Sequence, residues 1–263
     1  KPFTTVAVVS TGVDLNHPDL KNKMVTGFSV YGEEDSADDV NGAGTHMAGV
    51  IIGSGSNPGV APNCKIMPVK AMNEDGETKD GDLIQGVAWA VDHGASIVTF
   101  TAEGTSQSKA LDDIIKYAYT KKVPLIVGSG DNGNSSASYP AASKGVIAVS
   151  ALGSESSLAE FSNKGEWVSV SAPGQNILSA SSTRRAKNMP AKYATLSGSS
   201  VAAAHVAGEI ALIKSKYPTL DMVGLRKHLE LTSDDIGNPG PDDEFGFGRI
   251  NLAKALMVQP PKK

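Results

Sequence analysis

The chain has 263 residues, a formal net charge of −4, 40% hydrophobic residues, 5% aromatic residues and one cysteine, Cys64. This length supports one large domain or two small ones, and the mild charge, without a long run of Lys or Arg, argues against nucleic acid or an anionic membrane as the main partner. A single cysteine excludes an internal disulfide, and no apolar run approaches the roughly 18 residues needed to span a bilayer.

The first half of the chain alternates predicted strands with a predicted helix. A β-branched run over residues 5–9 and a second apolar run over residues 65–69 are both bounded by turn-forming residues and predict strands. Residues 81–93 have apolar side chains at helical spacing and end at Gly94, a residue typical of helix C-termini. A third strand is predicted over residues 96–100.

The second half continues the same alternation. Its predicted helices are residues 108–120, 201–216 and 221–231, and its predicted strands are residues 123–127, 146–150 and 167–170. Near-continuous apolar strands are typical of a parallel sheet covered on both faces, and alternating strands and helices imply right-handed crossovers. We therefore predict one α/β domain over residues 1–263, built as a doubly wound parallel β-sheet flanked by helices.

The strand ends predict where a site forms. In open α/β sheets, ligands bind outside the carboxyl ends of the strands. Three segments are expected to meet there: the turn after Val9, the turn after Val127, and the Gly/Ser-rich start of the helix at Ser200.

Three stretches of the chain resemble the signature motifs of the subtilisin-like serine proteases, the subtilase or peptidase S8 family. Residues 6–20 read VAVVSTGVDLNHPDL, residues 41–49 read NGAGTHMAG, and residues 197–208 read SGSSVAAAHVAG. They occur in the family's order, with further landmarks between them, so the resemblance spans nearly the whole chain. It implies a subtilisin-like fold with the active site at the strand carboxyl ends, export from the cell, and a proteolytic ancestry.

The resemblance also assigns the catalytic positions. It places the nucleophile at Ser200, the histidine base at Ala43, the orienting aspartate at Ser10 and the oxyanion-stabilising asparagine at Asp131. The reaction needs a hydroxyl activated by an imidazole, a carboxylate that orients that base, and a hydrogen-bond donor for the oxyanion. Alanine at residue 43 cannot act as the base, and serine at residue 10 cannot act as the orienting acid. An ionised carboxylate at residue 131 offers only hydrogen-bond acceptors. Only the serine is retained.

The predicted substrate-binding strand also departs from the family. Active members typically have Ser-Leu-Gly-Gly where this chain has Thr101, Ala102, Glu103 and Gly104. Glu103 adds bulk and negative charge where the family leaves room for a substrate side chain. We therefore predict a pseudoprotease domain that binds a protein or peptide partner at the degenerate cleft, as a regulator or as a scaffold within a larger protein.

Two other interpretations stay open. His46, three residues beyond Ala43, matches the second histidine of the motif, for which a packed structural role is the favoured interpretation. An active endopeptidase would use His46 as a different base together with a protonated Asp131, because a buried carboxyl group can have a raised pKa. Alanine at the base position is also the change that a deliberate inactivation would introduce, although several other positions differ from the active pattern as well.

Cofactors and location are only weakly indicated. No metal site is predicted, because residues 33–39 and the acidic residues between 234 and 244 lack a diagnostic spacing for calcium and are interpreted as solvated loops. Calcium binding, which many relatives show, is the alternative. Residues 1–10 lack the charged start and apolar core of a signal peptide, so the expectation of export rests on the resemblance.

Overall fold

The main sheet is parallel and seven-stranded. The computed structural model describes residues 4–32, 36–55, 57–101, 104, 106–184 and 192–261. Its strands are β1 (Thr5–Ser10), β2 (Phe28–Ser29), β3 (Lys65–Lys70), β4 (Ile97–Phe100), β5 (Leu125–Gly128), β6 (Val146–Leu152), β7 (Val168–Pro173), β8 (Ile177–Ser181) and β9 (Lys192–Leu196). The first seven form one sheet in the order β2-β3-β1-β4-β5-β6-β7, and every adjacent pair is parallel. β8 and β9 form a separate antiparallel hairpin.

Helices cover both faces of this sheet. They are α1 (Ala43–Ile52), α2 (Asp80–Asp92), α3 (Lys109–Thr120), α4 (Ser199–Lys216), α5 (Met222–Thr232) and α6 (Leu252–Met257). One buried cluster joins α1 and α4 to the sheet, and a second joins α2 and α3 to the opposite face. In the described part of the chain, no helix combines the length and apolar character that crossing a bilayer requires.

The long helix α4 runs across the sheet and contacts β4, β5, β6 and β7. Its buried face is built from alanines such as Ala202, Ala203 and Ala207, all of which are fully buried. Small side chains allow the helix axis to approach the strands closely. The N-terminus of α4 is thereby held beside the end of β5, where a β-carbon on Gly128 would lie 2.4 Å from the Ser199 Oγ atom.

The structure confirms the predicted fold class, and each predicted strand and helix has its counterpart within a few residues. The sequence analysis did not predict α1, α6, β2 or the β8–β9 hairpin. α1 was missed because nine of its ten residues are buried, so its sequence has no polar face to mark a helical period. β2 has two residues, too few for a pattern.

The strand order places a site between neighbouring strand ends. β1 lies centrally, with β3 on one side and β4 and β5 on the other. The connections therefore reverse direction across the sheet at β1, which makes its carboxyl end the topological switch point where ligands bind in such folds.

Candidate active site

A cavity of about 450 Å³ opens at the carboxyl ends of β1, β3, β4 and β5. All three segments that the strand-end argument brought together contribute to its wall. The lining residues are Thr11, Ala43, Met72, Gly76, Glu77, Thr78, Phe100, Thr101, Gly128, Gly130, Asp131, Ser199 and Ser200.

Ser200 lies in the first turn of α4 and faces this cavity, partly exposed. Helix N-termini favour negative charge, because their first N–H groups have no partner within the helix. Within the part of the chain that the structure describes, the Ser200 hydroxyl has no hydrogen-bond partner. No hydrogen bond among those residues joins this hydroxyl to a base.

The helix N-terminus beside Ser200 is capped by Asp131. The backbone N–H of Ser199 donates to Asp131 Oδ1 over 2.7 Å, and the Ser199 hydroxyl oxygen accepts from the N–H of Gly130 over 3.1 Å. A carboxylate oxygen therefore already receives an N–H group of the α4 N-terminus. As an acceptor in this bond, Asp131 Oδ1 is not available as a donor to an oxyanion.

Ser10, at the end of β1, is fully buried and paired with Thr101 beyond the end of β4. The two hydroxyl oxygens are 3.0 Å apart, and the Thr101 hydroxyl also lies 3.0 Å from the Met72 sulfur. These neutral groups satisfy one another. The position predicted for the orienting acid thus holds a buried, neutral hydroxyl that is paired with Thr101 and carries no charge that could stabilise an imidazolium.

Ala43 is the first residue of α1, which is held against the turn after β1 by a buried network around Asp39. Asp39 accepts from the Thr11 hydroxyl over 2.9 Å and from the Thr45 hydroxyl over 2.6 Å. Burial raises the pKa of Asp39, and the hydrogen bonds it accepts oppose that shift. Gly44 approaches this turn so closely that a β-carbon would lie 1.9 Å from the Gly12 carbonyl oxygen. The methyl group of Ala43 therefore reaches the cavity from a fixed backbone.

None of the five histidines lines the cavity. Each ring instead has a nitrogen that donates to a backbone carbonyl: His17 to Lys192, His46 to Ile177, His93 to Trp89, His205 to Val201 and His228 to Ala255. Burial lowers the pKa of both His46 and His205, since it disfavours the charged ring. The structure thus places His46 as a packed, hydrogen-bonded residue.

A second, polar cavity of about 320 Å³ is lined by residues that include Asn132, which directly follows Asp131 of the first cavity. It is lined by Gly104, Asn132, Asn134, Ser136, Ala137, Ser138 and Asn163. Gly104 of the predicted substrate-binding strand forms an antiparallel bridge with Tyr139, and Thr101 lines the first cavity. Ala102 and Glu103 lie outside the described residues.

Sequence reasoning missed the loop after β3 and the polar wall of the second cavity. Glu77 lines the first cavity although no motif marks it. The strand-end argument would have found it, because residues 71–78 follow the carboxyl end of β3. The asparagines and serines of the second cavity come together only through folding, since residue 163 is far from residues 132–138 in sequence.

The prediction of solvated acidic loops is wrong for Asp38 and Asp39, which are buried. Asp38 forms an ion pair with Arg184, and Asp234 contacts Arg249. In the described ranges, no three His, Cys, Asp or Glu side chains are grouped so that they could hold a metal ion. Residues 33–35 of the first acidic stretch lie outside those ranges.

Comparison with known proteins gives matches over nearly the whole chain. The model of the subtilase family matches residues 3–248. The chain is 34% identical over 255 residues to the thermophilic serine proteinase of Bacillus sp. (strain AK1), covering 95% of this chain and 61% of that protein. It is 34% identical over 259 residues to subtilisin DY of Bacillus licheniformis, covering 96% of this chain and 90% of that protein.

A solved structure agrees with these matches. The crystal structure of fervidolysin from Fervidobacterium pennivorans, described as a keratinolytic enzyme related to subtilisin, superposes with a TM-score of 0.90 at 32% identity. The superposition covers 98% of this chain and 43% of fervidolysin. This chain therefore spans less than two thirds of some relatives and nearly all of others.

Proposed function

This chain belongs to the subtilase family, and we propose that it is a pseudoprotease of that family, a domain that binds polypeptide at its cleft without cleaving it. The relatives named above are proteases by name, so family membership by itself favours peptide hydrolysis. The proposal therefore rests on the chemistry of this chain's own site.

The observation that carries the proposal is the surroundings of the Ser200 hydroxyl. Peptide hydrolysis by a serine requires a base within hydrogen-bonding reach of that hydroxyl. Among the described residues Ser200 has no such partner, and His46, the histidine nearest to Ala43 in sequence, donates its Nε2–H to a backbone carbonyl. Without a base the alcohol keeps its proton and is a poor nucleophile.

Two further features act in the same direction. The Ser10–Thr101 contact supplies no negative charge to orient or stabilise an imidazolium. The Asp131 carboxylate accepts a hydrogen bond at the α4 N-terminus, where the reaction needs donors for a developing oxyanion. In subtilisin itself, a member of this family, removal of the serine or the histidine costs about 10⁶-fold in turnover, and what remains depends on the oxyanion hole. In the proposed pseudoprotease the oxyanion hole is impaired as well, so this residual turnover is also expected to be lost.

Covalent labelling of Ser200 tests the absence of catalysis. We expect no reaction with a fluorophosphonate probe, because the probe reports a serine activated by a base. The control is the triple variant Ser10→Asp, Ala43→His, Asp131→Asn, which restores the three absent groups and is expected to be labelled. Stoichiometric labelling of the unaltered chain at Ser200, detected by mass spectrometry, would contradict the proposal.

The second candidate is an active endopeptidase that uses a different base, favoured by the protease relatives and the retained Ser200. It requires His46 to leave its contact with Ile177 and reach the cavity, and Asp131 to become a donor. Incubation with a peptide library between about pH 4 and pH 9 separates the two functions, since this range brackets the ordinary histidine pKa. Cleavage that His46→Ala abolishes would support this candidate over the pseudoprotease.

The wider context is also part of the proposal. Because several relatives are longer than this chain, we propose that the domain serves as the binding or scaffolding part of a larger exported protein that has no resident metal. Cell fractionation tests the export. Removal of calcium with a chelator is expected to leave the melting temperature unchanged, and a marked decrease would show that calcium stabilises the fold.

A further inference from the structure

The cavity beside Ser200 is negatively charged. Its described lining includes two acidic residues, Glu77 and Asp131, and no Lys, Arg or His. Two more acidic residues, Glu74 and Asp75, are exposed in the loop that bears Glu77. A ligand that enters this cavity therefore meets two carboxylates in its described wall.

Glu77 is held in place by its own loop. The Asn73 side-chain oxygen accepts the backbone N–H of Glu77 over 2.9 Å, and the Asn73 amide donates to Glu77 Oε2 over 3.3 Å. Asn41, two residues before Ala43, donates to the Glu74 carbonyl oxygen over 2.9 Å and so ties the loop to the start of α1. Glu77 and Ala43 thus line the same cavity, and the hydrogen bonds from Asn73 hold Glu77 in its wall.

Asp131 lies in the wall of the same cavity, on a different strand end. Glu77 follows β3 and Asp131 follows β5, and two strands, β1 and β4, separate them in the sheet. Three strand spacings place these strand ends about 14 Å apart. A cation midway between these strand ends is about 7 Å from each, which is within one Debye length of about 8 to 10 Å, and it is attracted by negative charge on both sides.

We propose that this cavity binds the ammonium or guanidinium group of a Lys or Arg side chain from an extended polypeptide, with Glu77 and Asp131 as its counter-charges. The inference rests on the proposed function and specifies the partner. The Ser200 hydroxyl oxygen faces the same space, and the Thr78 hydroxyl, which donates to the Ala71 carbonyl, keeps lone pairs for an incoming N–H group. The cavity thus offers acceptors on several sides.

The second cavity indicates that the ligand is an extended chain. Its lining of asparagine, serine, glycine and alanine is uncharged and suits a polar backbone or a small side chain. Asp131 lines the first cavity and the next residue, Asn132, lines the second, while Thr101 lines the first and Gly104 the second. A linear polypeptide can therefore place a basic side chain in the first cavity while a neighbouring residue occupies the second.

Peptides that differ only at one position test the inference. The probes are Ac-Ala-Ala-X-Ala-Ala-NH₂ with X as lysine, norleucine or glutamate, titrated into the ¹⁵N-labelled chain while the amide shifts of Gly128, Gly130 and Ser200 are followed. At low salt we expect the lysine peptide to bind about tenfold more tightly than the norleucine peptide, which corresponds to about 1.4 kcal/mol. The preference is expected to shrink at about 0.5 M salt, where charges are screened.

Two isosteric variants and a matched control identify the charges. Glu77→Gln and Asp131→Asn are each expected to reduce the lysine preference about threefold, the scale of a partly exposed ion pair. Asp131→Asn keeps an oxygen that can accept the Ser199 N–H, so the helix cap is preserved. Asp75→Asn removes a charge from the same loop at a residue outside the cavity lining and is expected to reduce the preference less than either cavity variant does.

The outcomes distinguish this inference from the proposed function. Equal binding of all three peptides would overturn the cationic preference and leave a non-cleaving, polypeptide-binding domain intact. An equal effect of all three variants would overturn the assignment of Glu77 and Asp131. Absence of binding by every peptide would overturn the inference, whereas cleavage of a bound peptide would instead overturn the proposed function.

Discussion

Glu209 in α4 is a buried carboxyl group that should limit the stability of the protein at neutral and alkaline pH. Its side chain has no exposed surface, and neither of its oxygens has a hydrogen-bond partner among the described residues. Burial raises the pKa of Glu209 from 4.5 to about 7. The folded chain therefore retains a proton that the unfolded chain releases at a lower pH.

The size and the sign of the effect follow from this difference in pKa. A carboxyl group whose pKa is raised in the folded state favours folding less as the pH rises, because the unfolded chain ionises more readily than the folded chain. The free energy of unfolding thus falls between about pH 4.5 and pH 7 and is then constant, with a total loss of about 3 kcal/mol. Glu209→Gln has nearly the same shape and an equally unsatisfied polar group, but it cannot ionise.

Urea unfolding of the two proteins at pH 4 and pH 8 measures this loss. We expect Glu209→Gln and the unaltered chain to have similar stabilities at pH 4, and the variant to be more stable by about 3 kcal/mol at pH 8. Glu160→Gln is the control, since Glu160 is exposed, and its stability relative to the unaltered chain should be the same at both pH values. A pH-independent difference for Glu209→Gln would refute the conclusion that this carboxyl group is buried without a partner.

Substitutions at three other positions test the local geometry of the site by urea unfolding. Gly128→Ala places a β-carbon 2.4 Å from Ser199 Oγ, so we expect a loss of about 1–3 kcal/mol, and unchanged stability would contradict the close approach. Asp39→Ala leaves the buried Thr45 amide and hydroxyl without an acceptor, so we expect the free energy of unfolding to fall by about 3 kcal/mol. Little change in stability would show instead that water replaces the carboxylate. Asp131→Ala removes the cap on the Ser199 N–H and should cost about 1 kcal/mol, whereas Asp131→Asn keeps an acceptor and should cost little. Equal losses for the two Asp131 variants would show that the cap does not depend on the side-chain oxygen.

The residues at the three altered positions are accommodated by their neighbours. Ser10 has a hydroxyl partner in Thr101, and Asp131 caps α4. The Ala43 side chain has no polar atom that needs a hydrogen-bond partner. A single inactivating substitution at residue 43 would not by itself account for the residues found at positions 10 and 131.

Local sequence determined the order and type of most elements. The apolar runs that became β1, β3, β4, β5 and β6 are marked by β-branched residues between turn formers, because a strand buried on both faces needs apolar side chains at successive positions. The motifs around Ser10, Ala43 and Ser200 predicted which segments would meet, and the cavity contains residues from each of these segments. Fold class and the approximate location of the site were therefore available from the sequence.

Tertiary structure alone decided what the side chains do there. Asp131 and Ser199 are 68 residues apart, and His46 and Ile177 are 131 residues apart, so no local pattern predicts that the first pair forms a helix cap or that the second occupies a histidine nitrogen. The same holds for Glu77, which enters the cavity because its loop is tied to Asn41, and for Glu209, whose isolation depends on what packs around α4. Hydrophobic periodicity is a local property of the chain, whereas the partner of a polar atom depends on which distant segment lies within about 3 Å of it once the chain has folded.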